Sequence, residues 1–367
     1  MGEIKEIDIH RSASIFNDIT RLNHEQVVFC HDESTGLKAI IGIHNTVLGP
    51  ALGGTRMWNY SSDEEAITDV LRLSRGMTFK AAISGLNIGG GKAVIIGDAK
   101  KLKNEAFLRR FGRFIESLGG RYITAEDVNM NTLDMEYISM ETDHVTGLSE
   151  SLGGGGDPSP VTAYGTYLGI KAAAKKVYGN DSLVGKRIAV QGVGQVGTHL
   201  AERLLKENAK VFVSDISEER LADISKNHKV IVIGQDEIYD LEMDIYAPCA
   251  LGATVNDNTI PRLKCKIIAG AANNQLHDEE KHGKQLLEKN IVYAPDFLIN
   301  AGGLINVYAE YIGGYRREVA YKQAEKIYDT CLDIITKSES EGISSQEAAI
   351  KIAQKRISDM GKVKLAY

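Results

Sequence analysis

The sequence predicts an α/β protein of two domains, and three observations predict it. Strand-like and helix-like segments alternate in both halves of the chain. The run Gly153-Gly154-Gly155-Gly156-Asp157-Pro158-Ser159-Pro160 breaks that alternation near the middle. From Lys186 a strand, a glycine turn and a helix follow one another, as at the opening of a doubly wound parallel sheet. At 367 residues the chain is long enough for two cores.

In the first half, residues 26–30 and 37–44 carry the β-branched and apolar residues of strands. Ser61-Ser62-Asp63-Glu64 reads as a capping box opening a helix that ends near Lys80. In the next helix Phe107, Leu108, Phe111, Phe114, Ile115 and Leu118 fall on one face, and Gly119-Gly120 stops it. Four glycines beside two prolines suit neither regular structure, so a domain junction is expected just before or within residues 153–160, a run that could also serve as a hinge.

Pro160 suits the first turn of a helix running to about Tyr178. Strands are expected at 187–191, 210–214, 231–233, 244–246, 267–269 and 291–293, with a helix through Leu205 after the first. Past Gly313-Gly314 the chain turns helical again, and Ser344-Ser345-Gln346-Glu347 opens the last helix. These C-terminal helices are expected to pack back on the first domain. The division is 1–149, completed by about 335–367, and 150–334.

Composition narrows the function. A formal net charge of −6 argues against nucleic acid as the main partner, because such binding needs a concentrated basic surface. No apolar run reaches the length of about 18 residues that spans a bilayer. The start, Met1-Gly2-Glu3-Ile4-Lys5-Glu6-Ile7-Asp8, lacks the apolar segment of a secretion signal. Cys30, Cys249, Cys265 and Cys331 are scattered and read as reduced thiols in packing, so a cytoplasmic protein is expected. The nine histidines form no ligand cluster, and no metal is expected.

Gly192-Val193-Gly194-Gln195-Val196-Gly197 lies between a strand and a helix, the context a dinucleotide site requires. Gly192 makes the tight turn, Gly194 admits the pyrophosphate, and Gly197 lets helix and strand pack; Gln195 and Val196 open the helix at the phosphates. Asp215 ends the next strand, placed to accept the ribose hydroxyls and to repel a 2′-phosphate, which favours NAD over NADP. The alternative is a structural turn, which leaves Asp215 unexplained.

Lys80 and Lys92 bracket a second glycine cluster, Gly85 to Gly91. Lys80 follows the helix, and Lys92 follows three glycines that let backbone approach a small ligand. Two lysines in one partly desolvated pocket repel each other, so one becomes a usable acid or base while the other pairs with a carboxylate. Asp127, after a short apolar strand, is a proton carrier in the same reading. The alternative puts both lysines on solvated faces and makes Asp127 a helix cap.

The chain resembles the glutamate/leucine/phenylalanine/valine dehydrogenase family, and within it the leucine-specific branch. The likeness runs from about Glu25 to about Arg356. It is carried by Gly49-Pro50-Ala51-Leu52-Gly53-Gly54-Thr55-Arg56-Met57-Trp58, Gly85 to Lys92, Thr124-Ala125-Glu126-Asp127-Val128, Asp157 to Gly165, Ala269-Gly270-Ala271-Ala272-Asn273-Asn274-Gln275-Leu276 and Asn300-Ala301-Gly302-Gly303.

The resemblance implies an N-terminal α/β substrate and oligomerisation domain and a Rossmann-type NAD domain, closing on a cleft between them. It implies reversible oxidative deamination of L-leucine, and of isoleucine and valine, to the 2-oxo acid and ammonia. Lys80 then holds the substrate carboxylate, Lys92 assists water attack on the imine, and Asp127 shuttles the amino-group proton. Gly53 lies by the substrate, Asn274 with Asn273 near the reacting centre, Thr162 by the nicotinamide, and Asn273, Cys249 and Ala250 along the cofactor. Leu52, Leu304 and Val307 line the side-chain pocket; glutamate-specific relatives carry lysine at the first of these positions and serine at the last. Some relatives have alanine in place of Gly197, and either residue reads as small enough. A homo-octamer is implied. Phenylalanine dehydrogenation is the alternative within the family, and a non-catalytic NAD-binding sensor the alternative outside it.

Overall fold

The structure, a computed structural model, describes residues 15–364. The reading of residues 1–8 falls outside them. Helix α1 (Ile15–Leu22) leads into a hairpin of β1 (Gln26–Asp32) and β2 (Leu37–Asn45). The short strands β3 (Ala51–Leu52) and β4 (Thr55–Trp58) precede the long helix α2 (Asp63–Ile83) and strand β5 (Gly89–Ile96). Helices α3 (Ala99–Leu102) and α4 (Glu105–Glu116), strand β6 (Tyr122–Ile123) and helix α5 (Thr132–Ser139) complete this part. The sheet runs β1-β2-β5-β3-β6, with β4 also paired to β5. β2 is antiparallel to both β1 and β5; the other pairings are parallel.

Strand alternation sorts the side chains. Ile41 and Ile43 of β2 and Ala93 and Ile95 of β5 join Phe107, Phe111 and Ile115 of α4 in one apolar cluster. Ile40 and Val94 turn the other way and join Val70 and Leu71 of α2. Lys92, two residues before Val94, therefore faces α2. Arg56 is paired with Val94 and shares that face.

Three expectations change here. The cap of α2 is Ser62, not Ser61: its hydroxyl accepts the Glu65 N–H at 3.2 Å, while the Glu65 carboxylate takes the Ser61 N–H and hydroxyl at 2.7 and 2.6 Å. Lys80 does not follow the helix but lies in its last turn. Gly89, Gly90 and Gly91 belong to β5 and serve packing rather than ligand approach. A Cβ at Gly90 would stand 2.1 Å from the Thr78 nitrogen of α2, and one at Gly91 2.8 Å from the Tyr122 ring.

The second sheet starts after α6 (Ser159–Tyr178). It contains β7 (Arg187–Gln191), β8 (Lys210–Ser214), β9 (Ile231–Val232), β10 (Ile245–Pro248), β11 (Ile267–Ile268) and β12 (Val292–Tyr293). Helices α7 (Gln195–Lys206), α8 (Glu218–Asn227) and α9 (Glu279–Glu288) lie among them. All pairs are parallel, in the order β12-β11-β10-β7-β8-β9. The winding reverses between β7 and β10, and the carboxyl ends of those strands open a crevice suited to a ligand. Asp244, expected to begin a strand, lies just outside β10 and accepts the Arg187 N–H at 2.8 Å.

After β12 come α10 (Asp296–Ile299), α11 (Gly302–Tyr311), α12 (Arg317–Glu341) and α13 (Ser345–Lys364). The helical pattern thus resumes before Gly313-Gly314, with α10 and α11. Helix α12 packs along α6, and α13 returns to α2. There the Arg356 guanidinium donates to the carbonyls of Ala82 and Leu86 at 3.0 and 2.8 Å, closing the α2 end that carries Lys80. One apolar cluster runs continuously from Leu52 and Phe79 through α6, α11 and α13 to β7 and β10.

Candidate active site

The turn after β6 brings Asp127 beneath Lys92. Lys92 Nζ donates to Asp127 Oδ2 at 2.8 Å, and the lysine is 6% exposed. The strands can lie this close because position 53 has no side chain: a Cβ at Gly53 would stand 1.7 Å from the Gly91 carbonyl oxygen. Burial pulls the Lys92 pKa below its ordinary value, against the neighbouring Asp127 carboxylate. Burial pushes Asp127 up, but Lys92 and Arg56 prevail and hold it below the usual carboxylate range.

Lys80 reaches from α2 toward the second sheet. Its Nζ donates to Asn273 Oδ1 at 3.2 Å, joining α2 to the loop after β11. Asn300 Nδ2 donates to the same oxygen at 2.8 Å. Burial lowers the Lys80 pKa to about 8, opposed by the Asp296 charge and reinforced by Lys92. Asp296 accepts the backbone N–H of Gln275 at 2.9 Å and of Phe297 at 2.6 Å, yet burial still raises its pKa. Asn273, expected near the reacting centre, has its side-chain oxygen on Lys80. Asn274 is exposed and in the left-handed region, φ 51°, and its carbonyl accepts the Ala253 N–H at 2.7 Å.

Leu52 and Leu304 are 1% and 7% exposed, and Val307 packs against the same cluster, which also holds Phe79 and Ile123. Thr162, in the first turn of α6, donates its hydroxyl to Pro158. A Cβ on Gly303 of α11 would come within 3.5 Å of that hydroxyl oxygen.

The residues at the β7–β10 crevice fit a dinucleotide. Gly192 has φ +100°, and a Cβ there would stand 2.6 Å from that of Ala250, so the turn and the end of β10 meet. Cys249, before Ala250, donates its backbone N–H to Gln191 at 2.7 Å. A Cβ at Gly194 would meet nothing within 4 Å, so the turn has open space there. Helix α7 has no side-chain cap, which leaves the N–H groups at Gln195, Val196 and Gly197 directed at that space. A Cβ at Gly197 would stand 1.9 Å from the Gly192 carbonyl oxygen, so alanine would require the turn to shift, contrary to the expectation that either residue fits. The Asp215 carboxylate accepts the Val193 and Ser217 N–H groups at 2.8 and 2.9 Å, holding the turn against β8.

Sequence reasoning missed four polar residues here: Asp69, Tyr60, Asp296 and Asn300. Asp69 stands eleven residues before Lys80, three helical turns, and so on the same face of α2. That spacing was a usable signal. Among the described residues, no group of three or more His, Cys, Asp or Glu side chains is set to hold a metal ion, and no helix is long and apolar enough to cross a membrane.

The fold and the residues at the β7–β10 crevice suit an enzyme that uses a dinucleotide, and comparison with known proteins shows an amino-acid dehydrogenase, which implies a nicotinamide dinucleotide. Two family models match the chain: Glu/Leu/Phe/Val dehydrogenase, dimerisation domain, over residues 24–144, and Glutamate/Leucine/Phenylalanine/Valine dehydrogenase over 153–364. The chain belongs to this family. It is 55% identical to a leucine dehydrogenase of Bacillus cereus over 97% of both chains, and 56% identical to that of Thermoactinomyces intermedius over 96% of both. A phenylalanine dehydrogenase of Bacillus thermotolerans is 47% identical over 97% of this chain and 95% of its own. The crystal structure of L-tryptophan dehydrogenase from Nostoc punctiforme superposes with a TM-score of 0.85 at 45% identity, covering 95% of this chain and 99% of that one.

Proposed function

We propose that the protein catalyses the NAD-dependent, reversible oxidative deamination of L-leucine, and of isoleucine and valine, to the 2-oxo acid and ammonia. The observation that carries this reading is the Lys92–Asp127 pair at 2.8 Å, with the Lys80 charge near enough to act on both. The apolar cluster that holds Leu52, Leu304 and Val307 supports an aliphatic substrate side chain. The identities of 54–56% to curated leucine dehydrogenases support the choice of side chain.

Lys80, a cation facing the cleft, takes the substrate α-carboxylate. The ionised Asp127 carboxylate receives the amino group and carries its proton. Bound nicotinamide dinucleotide supplies the hydride acceptor. Lys92, with its lowered pKa, takes a proton from the water that adds to the substrate imine, and returns it as ammonia leaves. In reverse it donates to the 2-oxo acid carbonyl. The pyrophosphate is held by the helix start at Gly194, Gln195, Val196 and Gly197, and the Asp215 charge disfavours a 2′-phosphate. Thr162, Cys249, Ala250 and Asn273 border the cofactor, and Gly53 and Asn274 the substrate. The substrate region is 1–149 with about 335–367, and the NAD region 150–334. The same reading makes the protein a cytoplasmic homo-octamer. Phe29, 56% exposed on edge strand β1 within the matched dimerisation domain, and the four free cysteines support it.

Incubation of the enzyme with L-leucine and NAD is expected to yield 4-methyl-2-oxopentanoate, ammonium and NADH in equal amounts, read by chromatography and absorbance. NADH formed without ammonium, or no NADH with any amino acid, overturns the reading.

The Lys80 assignment has its own test. Binding of 4-methylpentanoate, a carboxylate with no amino group, needs the charged lysine, so its affinity is expected to fall as pH rises through about 8. The limiting slope is about tenfold per pH unit. Lys80→Arg should flatten the curve. A flat wild-type curve in calorimetric titrations across that pH would remove Lys80 from carboxylate binding.

A further inference from the structure

Beyond the Lys92–Asp127 pair, the polar contacts continue outward. Arg56 Nε donates to Asp127 Oδ2 at 3.0 Å, the same oxygen that takes Lys92. Arg56 NH1 donates to Asp69 Oδ2 at 3.0 Å, and the Tyr60 hydroxyl donates to that oxygen at 2.6 Å. Lysine, aspartate, arginine and aspartate thus alternate in charge, drawn from β5, the loop after β6, β4 and α2. Among the described residues, no hydrogen bond reaches Asp127 Oδ1. The outer end of the chain borders an open cavity of about 790 Å3 lined by Arg56, Trp58, Tyr60, Asp69, Arg72 and Val128.

We propose that Arg56 is a positioning residue for the deamination: with Asp69 and Tyr60 behind it, it pins one oxygen of Asp127 beside Lys92 and leaves the other free for the substrate amino group. The proposal rests on the reading of the site given above. A planar guanidinium can place Nε and NH1 on two different carboxylates, whereas an ammonium is a point charge and cannot span them in this geometry. Asp127 by itself could turn about its side-chain torsions. Two cations on one oxygen fix it, and Asp69, held by Tyr60, fixes the second cation.

The arrangement also sets the charge state of Asp127. The ionisable groups around that carboxylate are Lys92 from β5, Arg56 from β4, Lys80 and Asp69 from α2, Tyr60 from the segment before α2 and Tyr122 from β6. Arg56 is one of the two cations in direct contact. The Arg56 charge also holds the Lys92 pKa down. Without it both Lys92 and Asp127 take protons more readily, so the acid side of the activity profile, set by Lys92 as the base, moves to higher pH.

The test is the pH dependence of kcat/KM for leucine in the wild type, Arg56→Gln, Arg56→Lys and Tyr60→Phe, with thermal stability and NADH binding measured alongside. For Arg56→Gln the acid limb is expected to rise by about one pH unit. Its kcat should fall about tenfold to hundredfold, with NADH binding unchanged. Arg56→Lys should recover the limb more than the rate, because it restores charge but not the double contact. Tyr60→Phe should move both in the same direction by less. A folded Arg56→Gln with the wild-type limb and rate overturns the proposal, as does an Arg56→Lys indistinguishable from wild type. If Arg56→Gln does not fold, an unchanged limb and rate in both Tyr60→Phe and Asp69→Asn overturns it. Absence of turnover in the wild type would instead overturn the underlying reading of the site.

Discussion

Replacing Lys92 with alanine is expected to lower kcat for leucine about a thousandfold, in the range of lost general acid–base catalysis, while leaving NADH affinity unchanged. The size follows from the position. Lys92 is almost fully buried and 2.8 Å from Asp127, and burial lowers its pKa. Among the described residues no other lysine contacts Asp127: Lys80 stands on α2 with its ammonium on Asn273. Arg56 keeps the Asp127 carboxylate paired when Lys92 is removed, so the fold survives the change. Lys92→Met, closer in volume, separates lost chemistry from lost packing. The readouts are NADH absorbance for turnover and NADH fluorescence for binding. A variant retaining more than a tenth of the wild-type rate would assign the proton transfers elsewhere. Binding retained without turnover also separates an enzyme from a sensor, since a sensor has no turnover to lose.

Discrimination against L-glutamate carries the second large effect. Leu52 lies on β3 and Leu304 and Val307 on α11, and the three belong to one apolar cluster with Phe79 and Ile123. A second carboxylate buried there has no partner and costs several kcal/mol. At about 1.4 kcal/mol for each factor of ten, that predicts a preference for leucine of at least about a thousandfold in kcat/KM. Differences within the branched amino acids are smaller, about 1–3 kcal/mol per methylene. The near-complete burial of Leu52 also fits ordinary core packing, so substitution alone does not identify a pocket residue; the substrate ratio does.

Much of this arrangement is legible in the sequence, and the limits have physical causes. The two-sheet organisation and the strands at 187–191 and 210–214 follow from alternation and turn residues, because both are local. The cap of α2 is displaced by one residue because two adjacent serines satisfy the same pattern, and only the position of Glu65 decides between them. The glycines before Lys92 look like a ligand loop in one dimension. In the fold they let α2 and Tyr122 approach β5, which is a tertiary requirement. Arg56 lies within a recognisable motif, yet its role depends on the register that pairs it with Val94 and so sets it on the Lys92 face. Asp296 and Asn273 meet the Lys80 neighbourhood only through the approach of the second sheet's loops to α2. Sequence spacing says nothing of that approach.

The proposed chemistry and the proposed pocket meet in one number, the ratio of kcat/KM for L-leucine to that for L-glutamate with NAD, measured by initial rates of NADH formation. A ratio of about a thousand or more is predicted. A ratio near one, or a preference for glutamate, would contradict the assignment of Leu52, Leu304 and Val307 to the substrate side chain.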